Sequence, residues 1–99
     1  MAWRMVMYDI ESDALRTRLA RRLEALGFVR LQYSIFCGNH TEAQWEYCAK
    51  KLDILLSKIS PPDKCYILPV SGRILRNTSY FGDRPELEGL LHEKLVYWL

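Results

Sequence analysis

Four leucines, Leu15, Leu19, Leu23 and Leu26, recur at helical spacing and stop at Gly27. At about 100° per residue they form one apolar stripe, and a helix with such a stripe must bury it against another element. Ser12 suits the N-cap of that helix, Asp13 complements the dipole of its first turn, and Gly27 suits its end. The stretch before it, Ala2 to Tyr8, has the apolar and aromatic character of a half-buried strand. The stretch after it, Phe28 to Cys37, alternates Val29, Leu31, Tyr33 and Ile35 with Phe28, Arg30, Gln32, Ser34 and Phe36, the period of a β region. A second helix opens on the capping box Thr41-Glu42-Ala43-Gln44 and is predicted to run to about Ile59. Its stripe is Trp45, Cys48, Leu52, Leu55, Leu56 and Ile59, with Lys50, Lys51 and Lys58 on a solvated side. Two helices, each with one apolar stripe and each flanked by strands, give a two-layer α+β sandwich.

The rest of the chain completes that plan. Gly38-Asn39-His40 reads as a turn, and Ser60-Pro61-Pro62-Asp63 breaks the second helix. Cys65 to Val70 reads as a buried strand ending near Pro69. Ser71-Gly72 turns into a fourth strand over Arg73 to Phe81, and Gly82-Asp83-Arg84-Pro85 turns again. Beyond it, Glu86 to Lys94 suggests a short helix weakened by Gly89, and Leu95 to Leu99 an apolar strand for this chain's sheet or a partner's edge. The β region over 28–38 is either one straight strand or two short strands bent near Gln32 to Ser34. The bent pair makes the first part βαββαβ, the ferredoxin-like arrangement.

Ninety-nine residues suit a single domain over 1–99, with a core over 1–81 and a tail over 82–99 available for exchange in a dimer. Cys37, Cys48 and Cys65 are odd in number and widely spaced, which gives neither a disulfide framework nor a metal knuckle. A reducing cytoplasm is the simplest setting. The first apolar run is short and broken by Arg4, so no signal peptide is expected, and no stretch reaches membrane-spanning length.

Function enters through charge. The first strand runs into Asp9, and a carboxylate at the end of an apolar strand is costly to bury unless paired, hydrogen-bonded or bound to a metal. The plainer reading is that Asp9 leaves the strand and starts a turn. Net charge is only +2, but Arg16, Arg18, Arg21 and Arg22 all fall on the first helix, with no Lys among them. Arg18 and Arg22 flank the leucine stripe on one side and Arg16 on the other, while Arg21 points away. Such flanks are commonly solvated, yet guanidinium forks match phosphate where ammonium does not. His40 and His92 have no neighbour at metal-ligand or base spacing and read as structural.

Together these residues resemble the CRISPR-associated protein two family, the small universal adaptation protein of CRISPR systems. The resemblance rests on Tyr8-Asp9-Ile10 closing the first strand, on Arg16 and Arg18, on Gly27, and above all on Arg30-Leu31-Gln32-Tyr33-Ser34-Ile35-Phe36-Cys37-Gly38. It is dense over residues 1–38, architectural from 39 to 81, and lost in the tail. It implies a ferredoxin-like homodimer, a metal-dependent endonuclease acting on RNA or DNA, and the central dimer that bridges the CRISPR integrase during spacer acquisition. It implies Asp9 as the catalytic and metal-binding acid, with Tyr8, Arg16, Arg18, Arg30 and Phe36 supporting the site or contacting nucleic acid. Ser34 could hydrogen-bond in the same region or simply to backbone.

One carboxylate is a sparse site for Mg²⁺, or for Mn²⁺ in its place. Mg²⁺ is commonly held by one or two carboxylates with waters and phosphates completing its shell. A two-fold axis near Asp9 would supply the second carboxylate from the partner, so one ion would be shared within the dimer. Three other readings compete: a non-catalytic DNA-binding scaffold for the integrase, a ribonuclease toxin of the virulence-associated D type, and a ferredoxin-like module that binds a small metabolite.

Overall fold

The computed structural model describes residues 2–79 and 81–82. Strand β1 spans Ala2–Asp9, helix α1 Asp13–Ala25, strands β2 Val29–Gln32 and β3 Ile35–His40, helix α2 Glu42–Leu56 and strand β4 Lys64–Val70; a short helix α3, Gly72–Arg76, comes after them. All strand pairs are antiparallel, and the sheet order is β2-β3-β1-β4. Each of the two long helices therefore bridges two parallel strands with a third strand between them, which is the split βαβ pair of a ferredoxin-like fold. Among the described residues, no helix is long and apolar enough to cross a membrane.

The local signals work as the sequence predicts. Ser12 Oγ accepts from Leu15 N at 3.2 Å, and the Thr41–Gln44 box closes in both directions, at 3.1 and 2.9 Å. Gly27 has φ +87°, a left-handed conformation that ends the first helix at little steric cost. Leu19 and Leu23 are fully buried, with Leu15 and Leu26 partly so. Cys48, Leu52 and Leu55 of α2 join them, packed on Val6, Tyr8 and Phe36 of the sheet. Trp45, Leu56 and Ile59 complete the stripe at its margin, and Arg4 lies 4.1 Å over the Trp45 ring. The helix itself ends at Leu56 with Ser57 as C-cap, three residues before the predicted end; Ile59 keeps its place on the core without helical backbone.

Residues 28–38 form the bent pair. The loop residues Tyr33 and Ser34 have no positive φ, which closes the usual primed hairpin turns to them. A bulge between Arg30 and Gln32 takes up the mismatch, so Arg30 faces Phe36 while Gln32 faces Ile35.

Three further expectations are corrected. Gly38-Asn39-His40 is not a turn but the end of β3, paired to Arg4, Trp3 and Ala2. Gly38 serves close approach instead: a Cβ there would lie 2.7 Å from both His40 Cε1 and Phe28 Cδ2. His40 is buried and structural as expected, its Nε2 2.7 Å from the Leu26 carbonyl and its ring 4.7 Å from that of Phe28. The second correction is the fourth strand over Arg73 to Phe81, where residues 72–76 are helical. Ser71 Oγ accepts from Ile74 N at 3.1 Å, and Leu75 is buried against Trp3 and Cys37. A local cap and one buried side chain outweigh the weaker strand preference of Ile74 and Leu75. The third is the strand before it, which is not buried but lies at the sheet edge with Tyr66 and Leu68 exposed, and runs through Pro69 to Val70; Pro69 pairs with Arg4, where an edge strand tolerates a missing N–H. The predicted helix over 86–94 and final strand over 95–99 lie outside the described residues.

Candidate nucleic-acid site at the end of the first strand

The pleat of β1 sorts its side chains. Val6 and Tyr8 face the helices, whereas Trp3, Met5, Met7 and Asp9 face the other side. Across the sheet that second face carries Val29, Cys37 and Ile35 from β2 and β3 and Tyr66, Leu68 and Lys64 from β4. The short helix α3 covers its Trp3 end. Asp9 is exposed at the opposite end, with Lys64 as cross-strand neighbour and no ion pair between them.

The backbone just past Asp9 is tied down. Arg16 Nη1 donates to the carbonyl of Ile10 at 2.8 Å and to that of Glu11 at 3.3 Å, while Nη2 pairs with Asp13. Asp63 Oδ1 accepts from Glu11 N at 3.0 Å. The Tyr33 hydroxyl is the main influence holding the Arg16 guanidinium above its ordinary value; Asp13 adds to it and desolvation opposes it. Arg16 thus acts first on the backbone beside Asp9. Asp63 had no signal beyond its place in a helix-breaking loop, because its partner lies 52 residues away in sequence.

Tyr8 is buried and fixes the neighbouring hairpin. Its N–H donates to Ser34 O at 3.1 Å, its hydroxyl lies 3.5 Å from Tyr33 O, and its ring stacks with Phe36 at 6.2 Å. Phe36 is fully buried, so Tyr8 and Phe36 are packing elements of this chain's core, and Ser34 contributes its backbone carbonyl. Arg30 lies 5.0 Å over the Phe36 ring and 5.7 Å over that of Tyr33.

Arg16 and Arg30 line a groove of about 240 Å³ between α1 and β2, together with Arg21, Glu24 and Tyr33. Arg21, which points away from the leucine stripe, belongs to this groove, because residues 16, 17, 20, 21 and 24 share one flank of α1. Arg18 is exposed on the other flank. The structure therefore places Arg16 and Arg30 together, adds Arg21, leaves Arg18 apart, and sets Asp9 on the opposite face of the same sheet end.

A metal must be considered against these donors. Among the described residues no group of three or more His, Cys, Asp or Glu side chains is placed to hold one. Asp9 offers a single hard oxygen donor open to solvent, which fits half of a Mg²⁺ site that keeps its waters and takes a second carboxylate from elsewhere. The thiols fit no such role. Burial pushes Cys37 up to about 12 and Cys65 up to about 11 from 9.0, so neither is a thiolate near neutral pH.

Comparison with known proteins agrees with this fold. The family model described as CRISPR associated protein Cas2 matches residues 1–77, from the first strand through α3. A CRISPR-associated endoribonuclease Cas2 of Korarchaeum cryptofilum is 33% identical over 78 residues, which is 79% of this chain and 82% of that relative. The crystal structure of a hypothetical protein from Thermus thermophilus has a TM-score of 0.66 at 29% identity, covering 85% of this chain and 94% of that one. Streptococcus pyogenes Cas2, crystallised at pH 6.5, has a TM-score of 0.65 over 81% of this chain and 99% of its own, and at 19% identity it speaks to the fold alone.

Proposed function

The chain belongs to the CRISPR associated protein Cas2 family, and from that premise we propose that it is an endonuclease of CRISPR adaptation that works as a homodimer. The observation that carries this reading is Asp9, exposed at the end of β1 on the sheet face away from α1 and α2, beside a loop held by Arg16 and Asp63. A second copy seated on that face would bring two Asp9 carboxylates toward one axis and so double the carboxylate donors there. The exposed Tyr66 and Leu68 on this face give the second copy apolar surface to bury.

The substrate is a phosphodiester in RNA or DNA, and the name of the Korarchaeum relative favours RNA. Mg²⁺ or Mn²⁺, when bound, lowers the pKa of a coordinated water and polarises the phosphate. The chain's own contributions are positional. Asp9 supplies a carboxylate oxygen, Arg16 fixes the Ile10–Glu11 backbone behind it, and Arg30 offers a guanidinium to a flanking phosphate. Tyr8 and Phe36 hold the strand end and hairpin in register. Arg18, on its separate flank, reaches a more distant part of the backbone.

The same dimer serves as the central piece of the spacer-integration complex, gripping nucleic acid by its arginines beside the CRISPR integrase. This scaffold reading is favoured by a cationic groove that needs no metal. Family membership favours both over a virulence-associated toxin. Cleavage of labelled RNA by wild type and Asp9→Asn, each with Mg²⁺ and with EDTA, separates the two. Loss of cleavage in Asp9→Asn, with dimer mass intact by light scattering, is expected; equal cleavage by both proteins removes Asp9 from the chemistry and leaves the scaffold.

A further inference from the structure

Among the exposed aromatic side chains Tyr33, Tyr47, Tyr66 and Phe81, Tyr33 is the one with two guanidiniums beside its ring. Tyr33 is 70% exposed, yet it is not a loose surface side chain. Its turn is anchored to β1, since Tyr8 N bonds to Ser34 O and the Tyr8 hydroxyl approaches Tyr33 O. Two guanidiniums attend its ring, Arg16 at 5.9 Å and Arg30 at 5.7 Å from the centroid. It stands at the rim of the groove that also holds Arg21, where three guanidiniums face one carboxylate, Glu24. Arg16 is committed to Ile10, Glu11 and Asp13, whereas Arg21 and Arg30 make no ion pair among the described residues.

A fixed, exposed aromatic beside a cationic groove is what an unpaired base and its phosphates require. Single strands are bound by tracking the backbone along positive charge while bases stack on aromatic rings. A duplex keeps its bases stacked on one another and offers none to a lone ring. The hairpin also runs beside Tyr8, one residue before Asp9, so a strand held at Tyr33 is led to the end of the sheet where Asp9 lies.

We propose that Tyr33 is a base-stacking platform for single-stranded RNA and that Arg21, with Arg30, holds the adjoining phosphates. This rests on the nuclease reading for its choice of RNA and adds two residues, Tyr33 and Arg21, that set strand preference.

The test uses the full chain carrying Asp9→Asn in EDTA, so that binding is measured with cleavage switched off. A fluorescent 12-nucleotide RNA is titrated alone and as a perfect duplex. Tyr33→Ala is expected to weaken single-strand binding by about tenfold or more, from the loss of one stacked base, and to leave duplex binding within about twofold. Tyr33→Phe keeps the ring, loses the hydroxyl that influences Arg16, and is expected to bind like the parent. Arg21→Ala is expected to lower the slope of log K against log salt by about 0.7, one phosphate's worth for a single strand. Unchanged single-strand binding in Tyr33→Ala overturns the proposal. So does an equal loss in Tyr33→Phe, which would make the hydroxyl's hold on Arg16 the cause, or an equal loss for the duplex. Because no outcome depends on cleavage, failure here leaves the Asp9 assignment standing, and failure of Asp9 leaves this binding test valid.

Discussion

The two faces of one sheet are built to different ends. Toward the helices, β1 and β3 present Val6, Tyr8 and Phe36 to α1 and α2, and the chain itself buries them almost completely. Away from α1 and α2, the same strands present Met5, Met7, Ile35 and Asp9, and β4 adds Tyr66 and Leu68, with α3 alone covering one end among the described residues. One pleated strand therefore feeds a finished core and an unfinished surface. The first face carries the stability of the single chain, and the second is the one on which we propose that a second copy docks.

The sharpest way to break this contrast is to truncate on each face in turn. Phe36→Ala removes a fully buried ring that Tyr8 and Arg30 both contact, and is expected to cost about 3–5 kcal/mol. Chemical denaturation reads this directly; a loss below about 1 kcal/mol would mean the helix-side core is not where stability resides. Gly38→Ala comes next, at about 1–3 kcal/mol, because its new methyl meets the Phe28 and His40 rings and both must shift. His40 is also held to the Leu26 carbonyl, which limits its escape.

The opposite face should answer differently. Tyr66→Lys and Leu68→Lys sit on exposed positions of β4, and each is expected to change the stability of the single chain by no more than about 0.5 kcal/mol. Their effect should appear in association instead: a dimer at micromolar concentration for the parent and a monomer for the double variant, by light scattering. A monomeric parent, or a double variant that stays dimeric, would move the second copy off this face.

Most of the helix-facing half was legible in the sequence, because capping boxes and leucine periodicity are local. Ser12, Thr41 and Gln44 act within four residues of themselves, and the stripes of α1 and α2 need only a sheet to meet. The misreadings share one cause. Gly38 reads as a turn residue until the rings of Phe28 and His40 are brought over it, and Ile74-Leu75 reads as a strand until Ser71 caps a helix that buries Leu75 on Trp3. Both turn on a contact distant in sequence, Phe28 over Gly38 and Leu75 on Trp3, although the Ser71 cap is itself local. The site divides the same way. Asp9 and the arginines stand out by charge in a strand–helix context, but the Asp63 anchor, the opposite facing of Asp9 and Arg30, and the inclusion of Arg21 all come from register and helix phase.

One titration probes both faces at once. Cys37 belongs to the bare-face cluster and Cys65 packs against the helix-side core. Burial raises their folded values to about 12 and about 11, against 9.0 when unfolded. Below pH 9 both states hold the thiol protons and stability is indifferent to pH on their account. Above it the unfolded chain releases protons that the folded chain retains, so stability falls as pH climbs toward 11 for Cys65 and toward 12 for Cys37. Cys37→Ala should lower stability at every pH through its small cavity while flattening the decline between 9 and 12. Cys65→Ala should flatten only the portion below about 11. Denaturation midpoints collected from pH 8 to 12 resolve the slopes. If Cys37→Ala leaves the slope of the parent intact, then the thiol under α3 is already hydrated, and the bare face is open even at the end that α3 covers.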